Sequence, residues 1–283
     1  QHEAGVELTA GYRGEYLNAD VGVTPLGFQK TRAQGGISYE PKFGQYTTGK
    51  AWVEYRPVTD SVLSYAGTTD PVTGEFWGAV MRSEAGVSLS YERDGSGFYA
   101  EGSYAEYAGE SVKDNKGMQL NAGGYLLAHK GKYSDLSVGV NGNYQAFDDN
   151  HNLFTSGYGG YFSPQSFLSV SFPIRYAYTR ERLEAKDSIT PGYQSFEQDR
   201  EPFYPTDPAA MFEVGYLAFL NEDVQAYHDS SSETGFGVNL NGSTYFQVAP
   251  GTSIGGEVRL NTFGEYNEFQ TLFGIRQNFG AFQ

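Results

Sequence analysis

The chain has no cysteine among its 283 residues, which removes disulfides and thiolate chemistry. Histidine is scarce, with only His2, His129, His151 and His228, and none of these stands at a spacing that reads as a metal pair. No GxSxG elbow and no Walker loop occur, so neither a serine hydrolase nor a nucleotide-driven machine is indicated. Basic residues are also in deficit. Asp and Glu outnumber Lys and Arg by 34 to 19, for a net charge of −15. That sign repels phosphate backbones and anionic lipid headgroups, which argues against nucleic acid as a partner. No apolar run approaches the roughly 20 residues of a membrane helix. The longest, 125–128 and 214–220, fall far short.

What is present is a period of two. In 135–147, Leu136, Val138, Val140, Tyr144 and Ala146 oppose Ser137, Gly139, Asn141, Asn143 and Gln145. In 235–247, Phe236, Val238, Leu240 and Phe246 alternate with Asn239, Asn241, Ser243 and Gln247. In 253–262, Ile254, Val258 and Leu260 alternate with Glu257, Arg259 and Asn261. Such alternation at strand length marks β-structure with one apolar and one polar face.

Three features favour a membrane barrel over a soluble sandwich. The segments run to about 10–15 residues, beyond the usual globular strand. Aromatics such as Tyr91, Tyr144, Tyr176, Tyr178, Phe246 and Phe279 sit near segment ends, where a bilayer interface wants them. Short turns (94–97, 130–132, 249–252) alternate with long loops (57–80, 150–164, 198–209). A mean hydropathy of −0.49 does not oppose this, because only alternate residues of a barrel strand face lipid.

The pattern predicts strands at 5–12, 15–23, 32–40, 46–56, 82–92, 97–107, 117–129, 133–147, 165–179, 183–197, 210–220, 233–247, 253–263 and 267–279, with a further candidate at 224–228. A transmembrane antiparallel β-barrel of about 14–16 strands is expected, as one domain over 1–283. Its lumen is too wide for side chains to fill and is therefore expected to hold water.

Candidate sites follow from that geometry. Glu54, Arg56, Glu101, Asn141, Asn239, Asn241, Glu257, Arg259 and Asn261 are expected on the lumen face. For Glu257 and Arg259, charge that tunes passage and plain solvated polarity remain equally open. In the long loops, Tyr65, Trp77, Tyr158, Tyr161, Phe162 and Tyr204 are candidates for polysaccharide contact or gating, because flat rings stack on apolar sugar faces. The competing reading is that loop aromatics pack against each other. Packing suits Phe154 and Phe203 better; sugar contact suits Trp77 and Tyr161 better. The run Asp148-Asp149-Asn150-His151-Asn152 lacks the spacing of a calcium loop and reads as ordinary solvated loop. No catalytic group, metal or cofactor is expected.

Two long stretches are more specific. One is Arg56-Pro57-Val58-Thr59-Asp60-Ser61-Val62-Leu63-Ser64-Tyr65-Ala66-Gly67 with Asp70-Pro71-Val72-Thr73-Gly74 and Trp77-Gly78. The other is Asn152-Leu153-Phe154-Thr155, Gly157, and Gly159-Gly160-Tyr161-Phe162-Ser163-Pro164-Gln165. With weaker matches at 24–28, 112–115 and 203–208, the chain resembles the C-terminal barrel domain of the outer-membrane component of bacterial cellulose synthase, the cellulose synthase C protein family. The resemblance implies a sixteen-stranded barrel in the bacterial outer membrane that releases a nascent β-1,4-glucan. It also implies upstream periplasmic helical repeats and an inner-membrane cellulose synthase complex as partners, beside outer-membrane lipid. The chain opens at Gln1-His2-Glu3-Ala4 without a signal peptide, and a C-terminal fragment of a longer protein is expected. A general diffusion porin, an export channel for another exopolysaccharide, a structural or adhesive outer-membrane protein and a soluble secreted β-protein are the alternatives.

Overall fold

The computed structural model describes residues 5–71, 74–263 and 267–278. Phe279, placed above at a segment end, and Val72 and Thr73 of the first long stretch lie outside the described residues.

In chain order the elements are β1 (Val6–Arg13), β2 (Leu17–Leu26), β3 (Ala33–Tyr39), β4 (Lys42–Phe43), β5 (Thr47–Pro57), α1 (Val62–Ala66), β6 (Thr68–Thr69), β7 (Phe76–Arg93), β8 (Ser96–Glu110), β9 (Asn115–Lys130) and β10 (Ser134–Phe147). There follow β11 (Ser166–Ser171), β12 (Ile174–Arg180), β13 (Leu183–Gln198), β14 (Glu201–Pro202), α2 (Pro208–Leu220), β15 (Tyr227–His228), β16 (Ser231–Ala249), β17 (Thr252–Asn261) and β18 (Glu268–Gln277).

One antiparallel sheet of 16 strands carries almost all of this. Its path is β1-β2-β3-β5-β7-β8-β9-β10-β11-β13-β16-β17-β18, with β4, β6 and β12 attached to it. Strands β11 and β12 form one stave interrupted at Pro173, which has no N–H for the ladder. The interruption is bridged: Gly139 N–H donates to the Pro173 carbonyl at 2.8 Å and Phe172 N–H to that of Pro191 at 2.8 Å. The path therefore has thirteen staves. Among the described residues no ladder joins β1 to β18.

The register sorts side chains onto two faces. Val21, Ile37, Val53, Val87, Leu120, Leu168, Leu240, Ile254 and Phe273 share the outward face. They are exposed: Val53 to 60 % and Phe236, on the same face, to 88 %. A belt of exposed apolar side chains around a whole sheet is what lipid, not water, covers. The inward face carries Asp20, Glu54, Glu84, Glu101, Asn121, Asn141, Asn239 and Glu257. The fold is thus a β-barrel with a polar interior; among the described residues the only other sheet is the two-stranded β14-β15.

Two rims differ in construction. One is joined by tight turns, such as Asp94-Gly95 with φ of 53° and 77°, the left-handed pair that a two-residue hairpin needs. The other carries the long connections at 58–75, 148–165 and 199–230.

Four expectations need correction. Residues 210–220 are not a strand but the body of α2. Asp207 caps that helix, accepting from Ala209 N–H and Ala210 N–H at 3.0 Å each, and Pro208 opens its first turn. The run Met211–Leu220 is apolar but for Glu213 and Gly215 and shows no alternation, and none of its residues is buried. The stretch 57–80 is not one loop: it holds α1, β6 and the first residues of β7. Trp77 consequently stands on a strand. The candidate at 224–228 is only the two-residue β15, paired with β14. The expected strand 165–179 is broken at Pro173.

Candidate functional site

Two regions gather the candidate residues: the inner wall of β2, β3, β5, β7 and β8, and a cap of folded connections at the long-loop rim.

On the wall, register places like charges directly opposite each other. Glu54 faces Glu84, and Arg56 faces Arg82. Opposed like charges repel, so each reaches diagonally. Arg56 donates two hydrogen bonds to the Asp20 carboxylate, both at 2.6 Å. Its Nε lies 3.7 Å from Glu54. Arg82 Nη2 donates to Glu54 at 2.5 Å, and its Nε lies 3.4 Å from Glu84. Trp52 Nε1 donates to Glu84 Oε1 at 2.9 Å. The result is a ladder of three carboxylates against two guanidiniums from β2, β5 and β7, passing over Gly36 of the intervening β3. Glu101 stands beside it and accepts from Asn121 at 3.3 Å. Asn141 accepts from the Tyr99 hydroxyl at 3.1 Å.

The far wall is built the same way. Asn241 donates to Asn239. Glu257 accepts from the Tyr245 hydroxyl at 2.9 Å and from Arg276 at 3.1 Å, with Arg259 at 3.4 Å. Asn261 accepts from Phe263 N–H at 3.3 Å. These lumen candidates therefore share one face by register, and the pairs they form are ones the sequence did not specify.

The cap has a dry core. Val58, Val80, Val112 and Tyr161 are buried together, with Trp77, Tyr107 and Phe147 packed against them. Tyr161 is stacked on Tyr107 (centroids 5.1 Å, 14°) and on His151 (5.4 Å, 26°). Tyr158 meets His151 edge-on at 5.6 Å and donates its hydroxyl proton to the Pro202 carbonyl. Tyr158 and His151 are fully buried and Tyr161 is 2 % exposed. Burial raises both tyrosine hydroxyls well above their usual pKa. The His151 imidazole is pushed down to about 4, chiefly by burial. Neither of its ring nitrogens has a hydrogen-bond partner among the described residues, nor has Trp77 Nε1.

Charged contacts tie the connections together. Lys113 binds Asp149 at 2.6 Å, Arg32 binds Glu110 at 2.6 Å, and Glu201 accepts from Asn150 N–H at 3.0 Å. The 148–152 run is thus anchored rather than a free solvated loop: Asn150 is 4 % exposed. Among the described residues no group of three or more His, Cys, Asp or Glu is arranged to hold a metal.

The candidate aromatics divide. Tyr158 and Tyr161 lie in the closed core, so sugar contact is not open to them while the cap is shut. Phe154, assigned to packing above, is 64 % exposed instead. Tyr65, on α1, packs edge-on to Phe28 at 5.0 Å. Phe162 sits edge-on between Phe167 (5.9 Å) and Phe196 (5.7 Å) and is 37 % exposed. Tyr204 lies at the surface beside Phe203, which stacks on His228 at 4.1 Å. Residues missed in the sequence are Asp20, Trp52, Arg82 and Glu84 on the wall and Tyr107 and His151 in the cap. Trp52 and Glu84 carried a signal, since each shares a parity with a polar lumen face.

Comparison with known proteins gives a consistent result. The sequence profile of the family described as "Cellulose synthase operon protein C C-terminus" matches residues 1–280. Cellulose synthase operon protein C of Xanthomonas axonopodis pv. citri (strain 306) is 35 % identical over 98 % of this chain and 19 % of its own length. That of Pseudomonas fluorescens (strain SBW25) is 33 % identical over 95 % of this chain and 21 % of its own. That of Escherichia coli (strain K12) is 26 % identical over 100 % of this chain and 24 % of its own. The chain spans about a fifth of the length of these relatives. A solved structure described as a bacterial polysaccharide outer membrane secretin shares the fold, with a TM-score of 0.56 at 9 % identity, covering 95 % of this chain and 77 % of that one. With its profile matched almost end to end, the chain belongs to the family of cellulose synthase operon protein C C-terminal domains.

Proposed function

We propose that the barrel is the conduit through which a nascent β-1,4-glucan crosses the bacterial outer membrane, with no chemistry of its own. The observation that carries this is the wall itself: an apolar belt faces outward while the inward charges are paired into ladders. Paired charge leaves a wet interior that does not bind a neutral polymer by Coulomb attraction, whereas the acid excess repels a polyanion. The driving force is chain growth at an inner-membrane cellulose synthase complex.

In this reading the short-turn rim faces the periplasm and the capped rim faces outward. The chain is one barrel domain of a longer protein whose upstream periplasmic helical repeats lead the glucan to it. Outer-membrane lipid is the other partner. Hydrocarbon tolerates no unpaired backbone, so in the membrane the edges of β1 and β18 are covered. Cells lacking the barrel domain are expected to stop exporting cellulose. Intact secretion from such cells, together with no conductance of the protein in planar bilayers, would remove the proposal. A general diffusion porin predicts rapid liposome swelling with assorted small sugars; the dry cap core predicts slow swelling.

A further inference from the structure

We propose that Trp52, with the carboxylates around it, forms a subsite for one neutral hexose unit on the lumen wall. The inference deepens the export reading and rests on it. Trp52 sits at the middle of β5, facing inward opposite Gly86. A Cβ built on Gly86 would lie 2.2 Å from Cζ2 of the indole, 2.6 Å from Cε2 and 2.7 Å from Cη2. The two ring neighbours of the nearest atom lie only 0.4 and 0.5 Å farther than Cζ2 itself, as they do for a point above the ring face; from a point beyond the edge both would lie distinctly farther. The indole therefore lies flat on the glycine, and only glycine permits that approach.

The ring is also held in rotation, because Nε1 donates to Glu84 at 2.9 Å. Its other face looks into the lumen. Lys50 Nζ stands 5.5 Å from the ring centroid on a long side chain that also reaches Glu40 at 3.7 Å, so it can move aside. Around the platform is a recess of about 380 Å³ lined by Asn18, Asp20, Ser38, Glu54, Glu84 and Glu101.

This is a preorganised flat ring rimmed by hydrogen-bond acceptors. A β-linked glucosyl unit carries its substituents equatorially, which leaves C–H groups on the ring faces and hydroxyls at the edge. The face stacks on indole, and the edge hydroxyls donate to Glu54 and Glu101. Lys50 and Arg56 also line the recess, but each is already paired with a carboxylate, so a uronate would find no free cation there and an excess of acid. One such contact is individually weak, so a moving polymer can leave it.

The test uses the full-length protein in detergent micelles with cellohexaose, read by saturation-transfer difference NMR. Transfer is expected to the axial ring protons of the sugar, to fall about threefold to tenfold in Trp52→Ala, and to be partly retained in Trp52→Phe. A dextran oligomer of equal length, α-1,6-linked, is expected to receive much less. Equal transfer in wild type and a Trp52→Ala protein that keeps its heat-modifiable gel mobility overturns the subsite, as does equal transfer to dextran. Should Trp52→Ala fail to fold, Trp52→Leu keeps apolar bulk without the aromatic face, and unchanged transfer there overturns it equally. Failure here leaves the export reading standing, because that is decided by secretion from cells lacking the barrel.

Discussion

The wall and the cap of this barrel solve opposite problems with the same residue types. On the wall, apolar side chains turn away from the molecular centre and charged ones turn toward it, each paired with a neighbour. In the cap, aromatic rings turn toward each other and exclude water, as in a soluble protein. The wall keeps nearly all its polar groups wet or paired. The cap leaves His151 and Trp77 nitrogens without partners, at a cost of about 1–3 kcal/mol for each such group. Among the described residues the wall leaves Asn18 Oδ1 and Arg82 Nε without a hydrogen bond, although the latter still lies 3.4 Å from Glu84, so unpartnered atoms are not confined to the cap.

The comparison is broken most severely by Tyr161→Ala. Removing a ring stacked on two others in a dry core is expected to cost the cap about 3–5 kcal/mol. Small-sugar swelling rates of liposomes should rise and loop proteolysis should quicken, while the heat-modifiable mobility of the barrel stays as it was. Loss of that mobility instead would mean that cap and wall are one cooperative unit.

Val53→Arg tests the outward face of the wall. A midplane Arg on a lipid-facing position is expected to cost about 2–4 kcal/mol, seen in the urea midpoint of the lipid-embedded barrel. An unchanged midpoint would place Val53 away from lipid.

Acidification separates the two regions without mutation. The His151 imidazole is held at about 4 against an ordinary 6.5. The closed cap is thus fully stable above about pH 6.5. It weakens as pH falls toward 4, because an open cap binds a proton that the closed one refuses. The full effect is about 3 kcal/mol. Lys113 reinforces it and Asp149 opposes it. Glu201, whose carboxyl burial pushes up, works in the opposite sense. Swelling rates measured from pH 7 to 4 should rise, and His151→Phe should flatten the profile. A profile that remains equally steep in His151→Phe would assign it to another group.

The smallest effect is expected from Arg56→Ala on the wall. It strips Asp20 of its partner, yet the site is wet, so stability should change by about 1 kcal/mol or less. Cation selectivity of single-channel currents should increase. A large loss of stability would mean that the ladder is dry.

Much of the wall was legible because lipid on one side and water on the other impose a period of two along most of each strand. Twelve of the thirteen staves follow from alternation, with register shifts near their ends at Val6/Leu8, Gly78/Met81, Leu136/Ser137 and Gln247/Ala249, and the thirteenth is broken at Pro173. The α2 segment was misread for a physical reason: Phe212, Leu217 and Phe219 are apolar at neither period, and the cap signal lay in Asp207-Pro208, outside the apolar run. Sugar contact at Tyr161 was favoured over packing because exposure was assumed for any aromatic in a loop. That assumption fails where several long loops meet at one rim and bury one another.

By itself the sequence determined that one face of every stave is greasy and the other polar, which turns follow, and which family the loops resemble, since these depend on neighbours along the chain. Tertiary structure alone decided that Glu54 meets Arg82, that Trp52 lies flat on Gly86, and that His151 is sealed between Tyr158 and Tyr161. Those contacts join strands that are distant in sequence, or rings from a loop folded back on itself, and only the registers and the shared rim bring them together.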